Sequence, residues 1–285
     1  MYAELFKLGE KLMREVTDAL GFSSVASTGT KPVALALSQH KRTELVKVPA
    51  ASCKEPIQAA GSGHAYTFVT SNGPGIAESI ELGHDHPKIS IKDNGEDVFV
   101  MENDNLKVTI KNGLITSLIY RENGREVIPE GKKANQLVIY DDKPLYWQAW
   151  DVEVYHFETR KELTPSSVSI LENGPLRGTL LITTQISEKS WIKTKVSLDA
   201  AVKGAGQFLT FDSEVEWQEK MKFLKVEFPV EVHSTDASYE TQYGVLQRPT
   251  HYNTSWDMAK FEVCNQRFAD LSEFNFGVSI FNDCK

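Results

Sequence analysis

The stretch at residues 177–199, RGTLLITTQISEKSWIKTKVSLD, contains two runs rich in apolar and β-branched residues. In the second run, Ile192, Val196 and Leu198 alternate with polar side chains. Alternation of this kind over a short segment predicts a β-strand with one buried face. The stretch therefore predicts two consecutive strands, 177–186 and 191–199.

The same pattern extends in both directions, from Asp97 to the end of the chain. Further predicted strands are VFVMEN, LKVTI, LITSLIY, NQLVIY, AWDVEVYHF, SSVSIL, GQFLTFDSEVEW, KFLKVEFPVEV, SYETQYGVLQ, KFEVCNQRFADLSE and FGVSIF. Turn residues separate many of them, as in Lys111-Asn112-Gly113 and Glu122-Asn123-Gly124. More than ten strands without a convincing helix between them predict a mainly β fold, with a large antiparallel β-sandwich over residues 96–285.

Two smaller parts precede the sandwich. Residues 2–20 predict an amphipathic helix that stops at Gly21, and residues 22–32 predict a polar linker. Four short strands predict a small β module within residues 30–95: Val33–Leu37, Glu44–Val48, Ala65–Val69 and Gly75–Ile80. The helix has no comparable helix to pack against, so either it lies across the β structure or its partners are missing. In the second case we expect the chain to be a piece of a longer protein, with the sandwich truncated at Lys285.

Composition excludes several functional classes. A net charge of −8 over 285 residues argues against a nucleic-acid partner, which requires a basic face. No apolar run approaches the ~20 residues that span a bilayer, so we expect no membrane partner. The three cysteines, Cys53, Cys264 and Cys284, are far apart and suggest a reducing compartment.

One unusual segment is YDDKPLYWQAWDVEVYHF, residues 140–157. It places Tyr146, Trp147 and Trp150 beside Asp151. Flat aromatic rings pack on the CH face of a sugar and carboxylates accept its hydroxyl hydrogens, so the segment is a candidate sugar site. The alternative is a core strand in which the aromatic residues only fill space.

The second unusual segment is QRPTHYNTSWDMA, residues 247–259, and it repeats this chemistry between two predicted strands. The candidate binding residues in it are Arg248, His251, Asn253, Trp256 and Asp257. A long interstrand loop with such side chains is a candidate functional loop. The alternative roles are structural, with Arg248 fixing the exit from the strand and His251 capping a turn.

The residues themselves give little indication of a catalytic site or a metal site. His84-Asp85-His86 has no third nearby ligand and is more simply a solvated loop. Asp151 and Asp257, each after a tryptophan, are the first pair to test as the two carboxyls of a retaining glycosidase. Neither a nucleophile elbow nor a Gly-rich phosphate loop is present, so the residues favour a binding or support domain over a self-sufficient enzyme.

Long blocks of the sequence resemble one enzyme family. YDDKPLYWQAWDVEVYHFETRK, KFLKVEFPVEVHSTDASYETQYG, LQRPTHYNTSWDMAKFEVCNQRFADLSE and GVSIFNDCK are similar to the cytosolic and vacuolar branch of the glycoside hydrolase family 38 α-mannosidases. The resemblance implies an N-terminal α/β barrel, a small helical domain and C-terminal β domains of super-sandwich type. Residues 1–22 would then be the end of the helical middle domain.

The resemblance also implies where the chemistry lies. In this family a zinc ion and an aspartate nucleophile sit in the barrel, and mannose is released with retention of configuration. We therefore expect no catalytic residue and no metal ligand in this chain, which demotes the Asp151–Asp257 pair to substrate-side or domain-contact groups. Trp147, Trp150, Asp151 and the candidates at 248–257 become candidates for the rim of the mannose site.

The resemblance implies partners and location as well. The partners would be a mannose-containing oligosaccharide, the barrel of the same protein and further copies in a homo-oligomer. The location would be the cytoplasm, or a vacuolar lumen reached without a signal peptide. Two alternatives stay open: a stand-alone carbohydrate-binding module without catalysis, and a purely structural domain whose two loops are buried against the barrel.

Overall fold

The computed structural model describes residues 2–21, 33–53, 57–206 and 208–283, so the linker predicted at 22–32 and the predicted truncation at Lys285 lie outside the described residues. The helices are α1 (Tyr2–Ala19), α2 (Ser255–Met258) and two 3₁₀ helices, Ala50–Ser52 and Val154–Thr159. The strands are β1 (Val33–Ala36), β2 (Arg42–Pro49), β3 (Gln58–Ala59), β4 (His64–Ser71), β5 (Gly75–Ser79), β6 (Ser90–Asp93), β7 (Val98–Glu102), β8 (Leu106–Lys111), β9 (Leu114–Tyr120), β10 (Arg125–Glu126), β11 (Gln136–Asp141), β12 (Lys161–Glu162), β13 (Ser167–Asn173), β14 (Arg177–Gln185), β15 (Trp191–Asp199), β16 (Leu209–Glu216), β17 (Lys222–Glu227), β18 (Asp236–Thr241), β19 (Gly244–Pro249), β20 (Phe268–Glu273) and β21 (Phe276–Phe281).

The chain divides into two compact units. The first comprises Met1–Ser90, Glu172–Thr179 and Ser197–Leu209, and the second comprises Ile91–Leu171, Leu180–Val196 and Thr210–Lys285. The predicted domain limits, 1–22, 30–95 and 96–285, stay predictions. The predicted fold class is confirmed: the chain is mainly β, with several antiparallel sheets after a single long helix.

Helix α1 confirms the predicted amphipathic helix. Gly21 follows it with a φ of +80°, the left-handed conformation in which glycine commonly ends a helix. None of the residues of α1 is buried, and its apolar side chains, Leu5, Leu12, Met13 and Val16 among them, are all more than half exposed.

The first unit is built around strand β4. Its sheet has the order β1-β5-β4-β2, and β3 also pairs with β4. Successive side chains of a strand point to opposite faces. Accordingly, Tyr66 and Phe68 join one buried cluster, while Val69 joins a second. Both faces of β4 are therefore covered.

The second unit contains several antiparallel sheets. Their strand orders are β10-β9-β8-β7-β6, β12-β11-β17 and β19-β18-β20-β21. A further sheet has the order β13-β14-β15-β16, and its strands include residues of both units. Fully buried residues include Met101 of β7, Val108 and Ile110 of β8, and Val138 of β11. The predicted turn at Asn112-Gly113 connects β8 to β9, with both residues at positive φ as a tight hairpin turn requires.

The predicted strand AWDVEVYHF is wrong. Residues 149–153 form a turn and an irregular segment, and Val154–Thr159 is a 3₁₀ helix. A strand would send His156 and Phe157 to opposite faces. Instead, both rings pack against Phe261, each with a centroid distance of 5.9 Å, and a helical turn makes this possible.

Two other predicted strands need correction. SYETQYGVLQ is a hairpin, β18 and β19, in which Tyr243 takes a φ of +62° at the turn. In KFEVCNQRFADLSE, only Phe268–Glu273 is a strand, and residues 260–267 form turns and irregular backbone. The loop predicted at 247–259 accordingly begins after Pro249 and contains helix α2.

Candidate functional site

The first tryptophan segment is a loop in the second unit, here called loop A and defined as residues 142–153. It leaves β11 at Asp141, whose carboxylate pairs with Lys143 and with Lys222 of β17. Hydrogen bonds from Lys143 and then Lys222 lower the pKa of Asp141 to about 2. The Tyr155 hydroxyl donates to the carbonyl of Lys143 at 3.1 Å, which holds the start of the loop on the 3₁₀ helix.

Loop A displays its aromatic rings to solvent. Trp150 is 91% exposed, and Tyr146 and Trp147 are about equally open, at 75% and 74%. The carbonyl of Trp147 accepts hydrogen bonds from the N–H groups of Trp150 and Asp151, at 2.8 and 3.0 Å. The loop is therefore a closed turn that presents its rings outward rather than a core strand.

Two residues of this turn have left-handed backbones. Trp147 has a φ of +62° and Ala149 a φ of +65°, a conformation that is unfavourable for residues other than glycine. Such strain is maintained only where the surrounding structure imposes it. Asp151 is exposed, and its Oδ1 accepts from the N–H of Val152 at 2.9 Å.

The second tryptophan segment forms loop B, defined as residues 250–263. Arg248, at the end of β19, closes its base: Nη1 donates to the carbonyl of Cys264 at 3.0 Å, and the guanidinium lies 4.8 Å from the ring of Tyr239. Arg248 therefore closes the base of loop B, and its predicted role in binding stays a prediction.

Within loop B, helix α2 begins with a capping box. The Thr254 side chain accepts from the N–H of Asp257, and the Asp257 carboxylate accepts from the N–H of Thr254. His251 Nδ1 lies 3.6 Å from Asp257 Oδ2 and accepts from the N–H of Asn253 at 3.4 Å. Trp256 is 80% exposed, so the cap holds the loop while the indole stays open.

An aromatic cluster supports both loops and was missed by the sequence reasoning. It is defined by five rings: Tyr140, His156, Phe157, Phe223 and Phe261. Lys225 Nζ lies 5.2–5.9 Å from the rings of Tyr140, Phe157 and Phe223. The triplet Tyr155-His156-Phe157 does not reveal it, because successive aromatic residues also occur in strands that are buried on both faces.

His156 is the centre of this cluster and is 97% buried, with 3% of its surface exposed. Its Nδ1 lies 2.7 Å from the carbonyl oxygen of Glu153, which can only accept, so Nδ1 carries the proton. In the neutral ring Nε2 is then an acceptor, and among the described residues it has no hydrogen-bond partner. Leaving a buried acceptor unpaired costs about 1–3 kcal/mol.

Charged groups line the edge of the cluster. Arg160 pairs with Glu227 at 2.7 Å and with Glu162 at 2.8 Å. Its hydrogen bonds lower the pKa of Glu227, and the same bonds raise the pKa of Arg160. Burial first, and then Glu227, raises the pKa of Tyr140. These charged pairs hold the edge of the cluster together.

The predicted site residues therefore fall into two groups. Trp147, Trp150 and Asp151 lie in loop A, while Arg248, His251, Asn253, Trp256 and Asp257 lie in or at the base of loop B. Over residues 142–153 and 248–263, no described hydrogen bond, ion pair or ring contact joins one group directly to the other. The two loops are linked instead through the aromatic cluster, in which His156 and Phe157, which follow loop A, contact Phe261 of loop B.

No metal site emerges from the part of the chain that the structure describes. It contains no group of three or more His, Cys, Asp or Glu side chains that could hold a metal ion. At the His84-Asp85-His86 segment, His86 Nδ1 lies 2.7 Å from the carbonyl oxygen of Pro87. No described helix is long and apolar enough to cross a membrane.

Comparison with known proteins confirms the family resemblance. Residues 101–285 match the model of the glycosyl hydrolases family 38 C-terminal domain. Alpha-mannosidase 2C1 of Homo sapiens is 47% identical over 200 residues, which are 66% of this chain and 19% of that protein. Alpha-mannosidase of Saccharomyces cerevisiae is 48% identical over 201 residues, 67% of this chain and 19% of that protein.

A solved structure shares the fold. The alpha-mannosidase from Enterococcus faecalis V583 aligns with a TM-score of 0.55 at 15% identity, covering 92% of this chain and 33% of that one. This chain spans about a fifth of the length of the curated relatives it matches.

Proposed function

This chain belongs to glycosyl hydrolase family 38 through its C-terminal domain, and we propose that it is the C-terminal β portion of an α-mannosidase. The observation that carries the proposal is the identity of nearly one half with two proteins named as α-mannosidases. The parent protein would hydrolyse terminal α-mannosidic bonds of free or N-glycan-derived oligosaccharides, with retention of configuration. The family resemblance further supports a homo-oligomeric parent in the cytoplasm or the vacuolar lumen.

In this proposal the reacting groups lie in the barrel of the parent protein. A glycosidase needs a general acid with a raised pKa. The carboxyl pKa shifts resolved in this chain are downward, at Glu126, Asp141, Glu219, Glu227 and Glu273, because hydrogen-bond donors and cations outweigh the effect of burial. The zinc ion of the parent protein would likewise be held in the barrel, and the described residues contain no group of side chains that could hold a metal ion.

The portion would support the barrel and form part of the rim of the mannose site. Three exposed indoles, Trp147, Trp150 and Trp256, offer flat apolar faces to the CH face of a sugar. The exposed carboxylate of Asp151 is positioned in the same loop to accept hydrogen bonds from hydroxyl groups. The rim would bind and orient the oligosaccharide, while bond cleavage would take place elsewhere.

A chimera tests this function. In the yeast α-mannosidase, the region matching this chain is replaced by residues 101–285, and turnover of a chromogenic α-mannoside is measured. We expect the chimera to be active and the isolated 285-residue chain to be inactive. Robust turnover by the pure isolated chain would contradict the proposal, as would a folded but inactive chimera.

The high exposure of Trp150 and Trp256 favours one second candidate, a stand-alone carbohydrate-binding module. In that case the isolated chain binds mannosides on its own, and Trp150→Ala or Trp256→Ala abolishes the binding. A stand-alone module requires measurable heat when an α-linked mannotriose is added to the isolated chain, and it gives no active chimera, so the activity of the chimera distinguishes the two candidates. An absence of heat removes this candidate.

A further inference from the structure

The two tryptophan loops share one support in the second unit. Loop A runs directly into the 3₁₀ helix that carries His156 and Phe157. Loop B returns through Phe261, whose ring contacts both of these rings. Phe223 of β17 completes the contact by packing on His156 and stacking on Tyr140, at centroid distances of 5.0 and 5.1 Å.

Loop A is fixed to this support at both ends. At its beginning, the N–H of Asp142 donates to the carbonyl of Met221 at 2.8 Å, and Tyr155 holds Lys143. At its end, the carbonyl of Glu153 faces Nδ1 of His156. His156 thus has two separate roles: its Nδ1 binds loop A, and its ring packs on the residue that supports loop B.

Loop B is fixed to the same support from the other side. Lys225 of β17 pairs with Glu262 at 2.5 Å while lying over the rings of the cluster. The hydrogen bond from Arg248 to the carbonyl of Cys264 closes the base of loop B. A shift of Phe261 therefore changes the support of α2 and Trp256 as well as that of His156.

We propose that loops A and B act as one composite surface for a neutral oligosaccharide, in which His156 and Phe261 are positioning residues that couple the tryptophans of one loop to the tryptophan of the other. The buried, singly bonded imidazole supports this role, because a phenylalanine would fill the same space without an unpaired Nε2. What only the imidazole supplies is the bond to Glu153 together with the ring contact to Phe261. The identity of the ligand rests on the function proposed above, whereas the coupling does not.

The coupling is tested by ¹⁹F NMR of the 285-residue chain labelled with 5-fluorotryptophan. Each of its five tryptophans gives a separate signal. Phe261→Leu, on the loop B side, is expected to shift the signals of Trp147 and Trp150. Phe157→Leu, on the loop A side, is expected to shift the signal of Trp256. Trp191 in β15 reports whether each variant is folded. Phe211→Leu is the matched control, because it disturbs a ring pair outside the cluster, with Phe228 at 5.3 Å, and is expected to leave all three loop signals in place.

Two variants of His156 separate its roles. His156→Phe keeps the ring and loses the bond to Glu153, so Trp150 is expected to move more than Trp256. His156→Asn keeps a donor near Glu153 and loses the ring, so Trp256 is expected to move more. Loop signals that move only when a residue of their own loop is changed, in chains whose Trp191 signal is native, overturn the coupling.

The ligand is tested by adding an α-linked mannotriose to the same samples. We expect the Trp150 and Trp256 signals to titrate with one common Kd, and Phe261→Leu to weaken it by about tenfold, while Phe211→Leu leaves it unchanged. Coupled loops with no response to the sugar would overturn the oligosaccharide as occupant and count against the proposed rim. Binding with separate Kd values at the two loops would overturn the composite surface and leave the proposed function standing.

Discussion

Arg177 binds Asp199 through two parallel hydrogen bonds, from Nε to Oδ1 at 2.6 Å and from Nη2 to Oδ2 at 2.8 Å. The pair joins β14 to β15 and is only about one-quarter exposed. The guanidinium also lies 5.2 Å from the ring of Tyr66, whose hydroxyl donates to Glu172. Burial first, and then Glu172, raises the pKa of Tyr66 to about 12, so the Tyr66 hydroxyl keeps its proton at neutral pH.

Removing one charge of this pair should destabilise the first unit. Asp199→Asn leaves Arg177 partly buried without its counter-charge, and we expect a loss of about 1–3 kcal/mol in the free energy of unfolding. Urea denaturation of the wild type and the variant measures this loss in the free energy of unfolding. The control is Asp212→Asn, which removes an exposed partner of Lys195 at 3.5 Å and should cost no more than about 0.5 kcal/mol. Equal effects of the two substitutions would show that the Arg177–Asp199 pair stabilises the fold no more than an exposed ion pair does.

Two glycines with the same backbone conformation give a second test. Gly113 and Gly124 have φ values of +77° and +70°. A Cβ on Gly113 would lie 2.7 Å from Cβ of Pro165, whereas a Cβ on Gly124 meets nothing within 4 Å. Gly124→Ala should therefore cost only the backbone strain, about 1–2 kcal/mol, and Gly113→Ala about 1–3 kcal/mol more. Thermal unfolding of the two variants compares them, and a smaller cost at Gly113 would show that Pro165 moves freely aside.

The stem of loop A should be sensitive to acid. The folded-state pKa of Asp141, about 2, lies below its ordinary value of 3.8. The unfolded chain therefore binds the proton more readily, and the stability from Asp141 is present above pH 4 and lost as the pH falls towards 2. The difference in unfolding free energy between the wild type and Asp141→Asn should shrink over this range. A difference that stays constant from pH 5 to pH 2 would show that Lys143 and Lys222 do not stabilise the carboxylate.

Substitution at His156 should distinguish packing from hydrogen bonding. His156→Phe loses a hydrogen bond of about 0.5–1.5 kcal/mol and removes an unpaired acceptor that costs about 1–3 kcal/mol. We expect unfolding stability at least equal to that of the wild type. His156→Ala leaves a cavity among four rings and should cost about 3–5 kcal/mol. A strongly destabilised His156→Phe would mean that Nε2 has a partner in solution, such as an ordered water.

The exposed indoles should contribute to binding and not to stability. Trp150→Ala and Trp256→Ala remove side chains that are 91% and 80% exposed, so the unfolding midpoint should stay close to that of the wild type. In the active chimera, each should raise the KM for an α-linked mannotriose and change kcat much less. A loss of stability with unchanged kinetics would instead support the structural alternative, in which both loops are buried against the barrel.

The sequence predicted the parts of the fold that depend on local periodicity. Helix α1 and the strands around Met101 and Val138 follow from spacing and alternation, and Asn112-Gly113 defines its own turn. The segment at 149–157 was missed, because its aromatic residues serve a contact with Phe261 that no local pattern reveals. The turn at Tyr243 was missed for another reason, since a tyrosine at positive φ carries no turn signal.

The sequence predicted the exposed aromatic residues of the candidate site but not the buried residues on which its loops pack. Exposed Trp150 and Trp256 could be named from composition because aromatic residues beside acidic ones are recognisable in any context. His156, Phe223 and Phe261 could not, because ordinary core residues acquire a positioning role only when the fold brings three distant segments together.

The left-handed turn at Trp147 and Ala149 also bears on the thermodynamics of recognition. A flexible loop loses conformational entropy when a partner orders it, by about 1–2 kcal/mol for each residue fixed. In loop A, the hydrogen bonds to the carbonyl of Trp147 already restrict the turn in the folded chain. Much of the backbone entropy of the turn is therefore lost during folding, so a partner that binds there would order mainly the exposed side chains.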